Sequence, residues 1–322
     1  MKKALRPLIA ALVFGAIVLA GFSFFGDAGQ ILAELQGIHP GWVAAALGLA
    51  VSNYLLRMTK WNYFLRLLGQ RVPRGRSAAV FFAGLSMSMT PGKLGELLKA
   101  LLLKDLSGVP VAITAPVVLG ERLTDLLSLV VMITGGVWVL GYGRNILFLA
   151  TAMCGMVVLG VLYPPFTRGV LWVAARTPGV RKMAGPLGEA FGNMAALLAV
   201  GPMVWATLLS AAAWSLECVA FWLILRGLGV VDAPLLQATF VYALGTVAGA
   251  VSMLPGGLVA TEGSMVFLLT EVLGMTTLPV AVAATLLVRL CTLWFATFLG
   301  AGVLLGHPGT RAALVRVELA RD

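Results

Sequence analysis

The chain carries little charge for its length. Only 11% of its 322 residues are Asp, Glu, Lys or Arg, whereas 60% are hydrophobic. A soluble domain carries roughly 25% charged residues, so this composition excludes an ordinary soluble enzyme or binding domain. The long hydrophobic runs predict an all-α polytopic membrane protein, with a single transmembrane domain over residues 1–306 and a short cytoplasmic tail over residues 307–322.

Cysteine and histidine are scarce as well. Cys154, Cys218 and Cys291 each lie inside a hydrophobic run, and His39 and His307 are far apart in the sequence. This spacing is typical of neither a disulfide framework nor a metal site. We therefore expect small buried cysteines, no metal and no cofactor.

Acidic residues are outnumbered by basic ones, 13 to 23, which gives a net charge of +10. The basic residues cluster in short segments between hydrophobic runs, at the N-terminus, over 66–76, over 164–182 and near the C-terminus. Such clusters follow the positive-inside rule rather than the pattern of a nucleic-acid surface. They predict an integral plasma (inner) membrane protein with both termini and a central loop, residues 164–182, in the cytoplasm, and no nucleic-acid partner.

One motif occurs twice. Residues 88–96 read SMTPGKLGE and residues 252–258 read SMLPGGL, and each copy precedes a hydrophobic helix that carries an arginine. A Pro-Gly pair breaks a helix, because proline lacks the backbone N–H and glycine favours left-handed turns. Broken helices at matching positions of two halves indicate the substrate site of a transporter. The helix-breaking residues are Pro91, Gly92, Pro255, Gly256 and Gly257.

The hydrophobic runs divide into full spans and shorter pieces. Runs long enough to span a membrane cover about 7–26, 41–68, 111–141, 145–163, 201–226 and 279–306. The pieces around the two breaks cover 77–90 with 94–106, and 234–254 with 257–273. We interpret each pair as a re-entrant half-helix hairpin near the middle of the bilayer.

The basic loops then place these two hairpins on opposite sides of the membrane. Half one, about 41–141, and half two, about 201–306, form an inverted repeat in this interpretation. The segment 183–200 is either an interfacial helix or an additional short span.

Three charges fall together inside one hydrophobic run: Glu121, Arg122 and Asp125. Each would cost about 2.5–3.5 kcal/mol at the bilayer centre, so they must face the interior of the bundle. They form either a buried ion-pair network or an anion site, in which the Arg122 guanidinium binds phosphate and a neighbouring carboxylate orients it. Arg289 has no carboxylate nearby on its own helix, so its partner is Glu262, Glu217 or a ligand.

Lys93, Glu96 and Lys99 open the half-helix after the first break, where free N–H groups favour an anion. The alternative is that the lysines reach the cytoplasmic surface while Glu96 caps the helix dipole. We expect three further charges to be interfacial: Arg57, Lys60 and Glu271.

Together these motifs resemble a known family. PGKLGE at 91–96, Glu121-Arg122-x-x-Asp125, PGGL at 255–258, and Glu262 with Arg289 are similar to the transmembrane region of lysylphosphatidylglycerol synthases, also called the flippase-like domain family. The second motif departs from the common form, because residues 259–261 read VAT where a glycine is expected before Glu262. The resemblance implies a multi-span bundle that moves polar lipids between leaflets.

In bifunctional members of that family a soluble aminoacyltransferase domain follows the bundle. Here only residues 307–322 follow the last run, so we expect no such domain and no lysylphosphatidylglycerol synthase.

The leading hypothesis is a lipid flippase or scramblase-like transporter without an ATP-hydrolysing module. Its lipid partner would have an anionic headgroup: a phospholipid, a polyprenyl-phosphate-linked sugar or a hopanoid-type lipid. The alternatives are a glycosyltransferase-like membrane enzyme acting on a lipid-linked substrate, and an accessory scaffold. Basic residues would hold the headgroup, and carboxylates would supply counter-charge or proton coupling. The substrate-binding residues that we predict are Lys93, Glu96, Glu121, Arg122, Asp125, Glu217, Glu262 and Arg289.

Overall fold

The computed structural model describes residue 21 and residues 28–90, 97–177 and 179–319. Within these ranges the chain forms helices and turns, and no strand. Only Gly21 of the predicted first span, 7–26, is described, and the segment 91–96 lies outside the described residues. The prediction of an all-α protein is confirmed for the described part of the chain.

The described helices follow one another with short connections. In chain order they are α1 (Ala28–Gly37), α2 (Pro40–Leu67), α3 (Arg74–Leu85), α4 (Leu98–Ser107), α5 (Val111–Leu140), α6 (Arg144–Leu162), α7 (Pro164–Arg176), α8 (Ala184–Leu197), α9 (Val200–Gly227), α10 (Leu235–Val251), α11 (Ala260–Phe267), α12 (Leu278–Gly306) and α13 (Pro308–Leu319). Single 3₁₀ turns occupy Arg181–Met183 and Pro255–Gly257, a π-helical turn over Leu268–Val272 extends α11, and another over Leu290–Trp294 lies within α12.

Several helices are long enough to cross a membrane. Helices α5, α6, α9 and α12 combine this length with an apolar composition. Helix α2 has 28 residues, which at the rise of an α-helix is also sufficient, but it carries more charge. The ends of these five helices agree with the five predicted spans from residue 41 onward to within one residue. The protein is therefore an integral membrane protein.

The chain leaves helical geometry at both repeated motifs. Helix α3 ends at Leu85 and the chain continues in turns to Thr90. Helix α10 ends at Val251, and Gly256 and Gly257 then adopt positive φ angles of 61° and 66°, which glycine tolerates without steric cost. Between the second break and α11, Val259 has φ 71° and ψ −55°, an unusual conformation for a β-branched residue.

Two hydrophobic clusters build the core, and they are joined by close helix crossings. Helices α2 and α9 pack along each other, and the Asn53 side-chain amide donates to the Ala213 carbonyl, 2.8 Å away, at their crossing. The second part of α12 packs on α3, where a Cβ on Gly300 would lie 2.2 Å from the Ser86 backbone nitrogen. Helix α5 packs on α10 in the same way, with Gly136 against Phe240. Small residues allow this close approach of helices.

Three segments differ from the simple loop, tail and span that the sequence suggested. Residues 164–182, expected as a loop, contain the 13-residue helix α7. Residues 307–322, expected as a tail, contain α13, whose Ala313 and Leu314 are buried and whose Arg316 pairs with Asp105 of α4 at 2.6 Å. Helix α8, in the ambiguous segment 183–200, has 14 residues, fewer than the roughly 20 that a span needs.

Candidate functional site

A cavity of about 220 Å³ lies between the long helices, and helices of both halves line it. Its wall is mostly apolar, with tyrosine and hydroxyl side chains from α2, α10, α11 and α12 and from the turn after α3. The charged side chains that line it are Arg57, Arg122, Asp125, Glu217 and Arg289. Four of these five are among the residues predicted from the sequence, and Arg57 is the addition.

One carboxylate organises the first charged group. Asp125 of α5 accepts a hydrogen bond from Lys60 Nζ at 2.5 Å on Oδ1, and its Oδ2 forms ion pairs with Arg122 Nη2 at 3.3 Å and Arg57 Nη2 at 3.5 Å. Because two guanidiniums share one oxygen, they lie next to each other. Among the described residues, three cations thus surround this one carboxylate at one end of the cavity, which we call the cationic end (Arg57, Lys60, Arg122 and Asp125).

Lys60 is the structural centre of the cationic end. Its ammonium also donates to Ser210 Oγ at 2.6 Å and to Thr124 Oγ1 and the Glu121 carbonyl, each at 3.2 Å. These contacts tie α2, α5 and α9 together around a fully buried charge. The prediction that Lys60 is interfacial is therefore wrong.

Arg57 is also buried, so the prediction that it is interfacial is wrong as well. It was expected at the membrane interface, but it is 8% exposed and points into the bundle, one helical turn before Lys60. Carboxylates elsewhere in the bundle offset the cost of burying both cations. Glu271, the third residue of that group, is exposed.

Glu121 has a different environment from its neighbour Arg122. Its Oε2 accepts from Lys99 Nζ at 2.6 Å, and both side chains are buried outside the cavity. The Lys99 ammonium lies 4.9 Å from the centre of the Trp61 ring, a cation–π distance. Successive residues of a helix point about 100° apart, which sends Glu121 toward α4 and Arg122 toward the cavity. Lys99 therefore does not reach the cytoplasmic surface, contrary to that alternative.

Arg289 contacts the second helix break directly. Its Nε donates to Glu262 Oε1 at 2.6 Å, and its Nη2 donates to the Gly256 carbonyl, also at 2.6 Å. Among the partners considered for Arg289, the structure contains the pair with Glu262. Glu262 is fully buried behind the cavity wall, whereas Arg289 lines the cavity.

The remaining carboxylate of the wall is Glu217 of α9. The Tyr242 hydroxyl donates to its Oε2 at 2.6 Å, and Glu217 is 5% exposed. A second buried tyrosine, Tyr54, donates to the Thr292 carbonyl at 2.6 Å and lines the same wall. Both phenols thus bridge different helices at the cavity surface.

The two repeated motifs meet beside the cavity. Met89, at the first break, packs with Leu258 and Trp294 in a small buried cluster. A Cβ on Gly256 would lie 3.5 Å from Met89 Cα, so the backbones of the two motifs are neighbours. The predicted residues Pro91, Gly92, Lys93 and Glu96 lie outside the described residues.

Metal-binding side chains are not grouped in the part of the chain that the structure describes: no three His, Cys, Asp or Glu residues there are placed to hold an ion. The three cysteines are free and buried. The chemistry of the cavity is therefore described by its guanidiniums, carboxylates and phenols.

Comparison with known proteins places the chain in a family. The model of the lysylphosphatidylglycerol synthase TM region matches residues 8–300. The chain belongs to this family. The resemblance inferred from the repeated motifs is thereby confirmed, and the family indicates a lipid-related function in the membrane.

A curated relative of this family member carries an enzyme name. Glycosyltransferase AglD of Haloferax volcanii is 25% identical over an alignment of 295 positions, which covers 78% of this chain and 46% of the relative. The chain thus spans about half the length of that relative.

Sequence reasoning missed Arg57 and Lys60, although a signal was present. The two cations lie three residues apart in one span, and the group Glu121, Arg122 and Asp125 carries one unbalanced negative charge. Buried charges in membranes pair with one another, so an unbalanced carboxylate in one span and spare cations in another indicate a contact.

Proposed function

We propose that this protein moves lipids with an anionic headgroup between the two leaflets of the membrane. The cationic end of the cavity carries this proposal, because the guanidiniums of Arg57 and Arg122 lie side by side there and guanidiniums bind phosphate oxygens through charge-assisted hydrogen bonds. The headgroup occupies the cavity while the hydrocarbon tails remain in the surrounding lipid. The family supports a role with lipids.

We also infer that the two halves form an inverted repeat around the cavity. Equivalent helices make equivalent contacts: α2 packs on α9, the end of α12 packs on α3, and α5 packs on α10. The last span of each half therefore packs against a half-helix of the other half. In this arrangement the broken helices enter from opposite sides, and rocking of the halves exposes the headgroup to each leaflet in turn.

We also propose that the protein lies in the inner membrane with both termini in the cytoplasm, an orientation that its basic segments support. Asp125, Glu217 and Glu262 are the carboxylates that would carry protons if movement is coupled to a proton gradient.

The name of the Haloferax volcanii relative favours a second candidate, transfer of a sugar to or from a lipid-linked substrate. The two functions differ in their product. A transporter changes the leaflet of a lipid and leaves its covalent structure intact, whereas a glycosyltransferase changes its mass.

The test is a reconstitution in liposomes with tail-labelled phosphatidylglycerol. Leaflet position is read by bleaching the outer label, and lipid mass is read by mass spectrometry after incubation with and without a sugar donor. We expect wild type to accelerate movement without changing lipid mass. Arg122→Gln removes a charge-assisted contact and should slow movement about tenfold or more.

The matched control is Arg311→Gln on α13, an exposed arginine that does not line the cavity. It should move lipid at the wild-type rate. A donor-dependent change in lipid mass, without faster leaflet movement, would establish the enzyme and overturn the transporter.

A further inference from the structure

We propose that helix α7 (Pro164–Arg176) lies in the plane of the membrane surface and binds the headgroups of anionic phospholipids outside the cavity. The inference goes beyond the proposed function and does not depend on it, because none of the 13 described residues of α7 lines the cavity. Its basis is the place where α7 begins, the faces that α7 exposes and the charge that this region carries.

Helix α7 begins directly at the end of a span. Helix α6 ends at Leu162, and α7 starts with Pro164 and Pro165. Tyr163 between them has an extended backbone, with φ −89° and ψ 103°, as the residue before a proline usually does. Helix α7 is therefore not a continuation of α6. Its 13 residues make it about 20 Å long, which is too short to cross the membrane, so we place it at the surface.

One face of α7 packs against the protein. Its less exposed side chains recur at helical spacing: Thr167, Val170, Leu171 and Ala174. This face packs on α8, where a Cβ on Gly188 would lie 3.8 Å from both methyl groups of Leu171. The contact with α8 fixes which sides of α7 face away from the bundle.

An apolar stripe lies on the exposed side of α7. Phe166 and Val173 are seven residues apart, and therefore on one side of the helix, and they are 53% and 54% exposed. The Phe166 ring lies beside α6, because a Cβ on Gly160 would be 3.6 Å from its Cε1 atom. Leu159 and Leu162 of α6 are exposed as well. The apolar stripe thus continues the outer surface of a membrane span.

A cationic stripe borders the apolar one. Arg168, Trp172 and Arg176 follow one another at intervals of four residues, and all three are exposed. Arg176 Cζ lies 4.0 Å from the centre of the Trp172 ring, a cation–π distance. Tryptophan is enriched at the level of the headgroups, where guanidiniums can donate to phosphate oxygens. Cations on one side of a helix and aromatic and aliphatic side chains on the next are typical of an interfacial helix.

The charge of this region selects anionic lipids. Arg181 and Lys182, in the turn after α7, are exposed too. The sequence contains no Asp or Glu from residue 126 to residue 188. Each cation close to an anionic membrane surface strengthens binding about fivefold, whereas a zwitterionic surface provides no such attraction. The continuity of the apolar stripe with α6 favours a lipid over a soluble acidic protein.

The experiment places an NBD fluorophore on α7 of the full-length protein through Gly169→Cys. Gly169 is exposed between Phe166 and Val173, and a Cβ there meets no atom within 4 Å. In phosphatidylcholine liposomes, quenching is compared for small, equal amounts of phosphatidylglycerol and phosphatidylcholine that carry the same spin-labelled acyl chain. We expect both lipids to quench, and phosphatidylglycerol at least about threefold more strongly. Arg168→Gln/Arg176→Gln in the labelled protein should remove most of this preference.

Two controls are matched to this design, with the labelled position confirmed by mass spectrometry of peptides. Arg144→Gln/Arg311→Gln removes the same charge at exposed sites outside α7 and should keep the preference. A fluorophore at Met156→Cys, on α6 and 69% exposed, should be quenched nearly equally by both lipids.

Quenching of the Gly169→Cys label by neither lipid would place α7 away from the membrane and overturn the inference. Equal quenching by both lipids would overturn the selection of anionic headgroups, and neither outcome depends on the folding of an arginine variant. An unchanged preference in folded Arg168→Gln/Arg176→Gln would overturn the role of these two arginines. None of these readouts measures lipid movement, so failure of the proposed function would leave the inference intact.

Discussion

Arg289 and Glu262 form a buried ion pair, with 2.6 Å between Nε and Oε1, across the second helix break. The same guanidinium donates to the backbone carbonyl of Gly256 inside the break. One side chain therefore connects the cavity wall, the broken segment and the start of α11. In the proposed transport cycle, a headgroup that binds Arg289 would also alter the contacts of Arg289 with Glu262 and with the Gly256 carbonyl at the break.

Removal of Glu262 should separate stability from transport. Glu262→Ala leaves the Arg289 cation buried without its partner, which typically costs about 3–5 kcal/mol. We expect a lower unfolding temperature in detergent. The double variant Glu262→Leu/Arg289→Met should recover most of the stability, because an apolar pair can replace a buried ion pair. It should remain slow in leaflet movement, since Arg289 lines the cavity; recovery of movement would contradict this role.

The Lys99–Glu121 pair offers the opposite result from the same design. Lys99→Met should also destabilise the folded protein by about 3–5 kcal/mol and so lower the unfolding temperature. The double variant Lys99→Met/Glu121→Leu should restore that temperature. Because neither side chain lines the cavity, the double variant should move lipid at nearly the wild-type rate. If the rate instead fell with normal stability, Glu121 would belong to the lipid path.

Gly300 is predicted to be irreplaceable on steric grounds. A Cβ there would lie 2.2 Å from the Ser86 nitrogen and 2.8 Å from the Phe82 carbonyl oxygen, both backbone atoms that cannot rotate away. Gly300→Ala should greatly lower the yield of folded protein in a fluorescence-detected size-exclusion assay. Gly302→Ala, two residues later on α12, meets no atom within 4 Å and should fold normally. Equal yields would show that α3 and α12 are further apart than described.

Much of the fold was predictable because the bilayer imposes a simple rule on sequence. A span needs about 20 apolar residues, and Pro255 with Gly256 and Gly257 interrupts one, so helix ends and the second break can be read locally. The burial of Lys60 cannot be read from the local sequence, because it depends on Asp125, 65 positions away in the sequence, and on Ser210, 150 positions away. Hydropathy gives no information about which helices pack together.

The site shows the same division. The sequence predicts Arg122, Asp125, Glu217 and Arg289 because charges inside spans are costly, and all four line the cavity. Glu121 satisfies the same rule but pairs with Lys99 elsewhere. The cost of burying a charge in a span identifies side chains that must have a partner. Only the packing of the helices shows whether such a side chain is paired away from the cavity or lines it.

Val259 provides a prediction about backbone strain. Its φ of 71° with ψ of −55° is a strained conformation for a β-branched residue, and the residue is 48% exposed, so little packing depends on it. Val259→Gly should relieve the backbone strain, and this should outweigh the greater conformational entropy that glycine gives the unfolded chain. The net effect should be a gain of about 1 kcal/mol in the free energy of unfolding. A higher unfolding temperature would agree with this; a lower one would mean that Val259 is held by contacts stronger than its strain.

The most direct test of the central claim is to block the cavity and measure lipid movement. Ser88 lines the cavity and the three native cysteines do not, so Ser88→Cys introduces a thiol on the proposed path. Movement of labelled phosphatidylglycerol is measured before and after reaction with a bulky maleimide, with wild type treated in parallel and labelling confirmed by mass spectrometry. The account predicts that modification stops movement in Ser88→Cys and leaves wild type unchanged. Fully modified Ser88→Cys that still moves lipid at its original rate would contradict it.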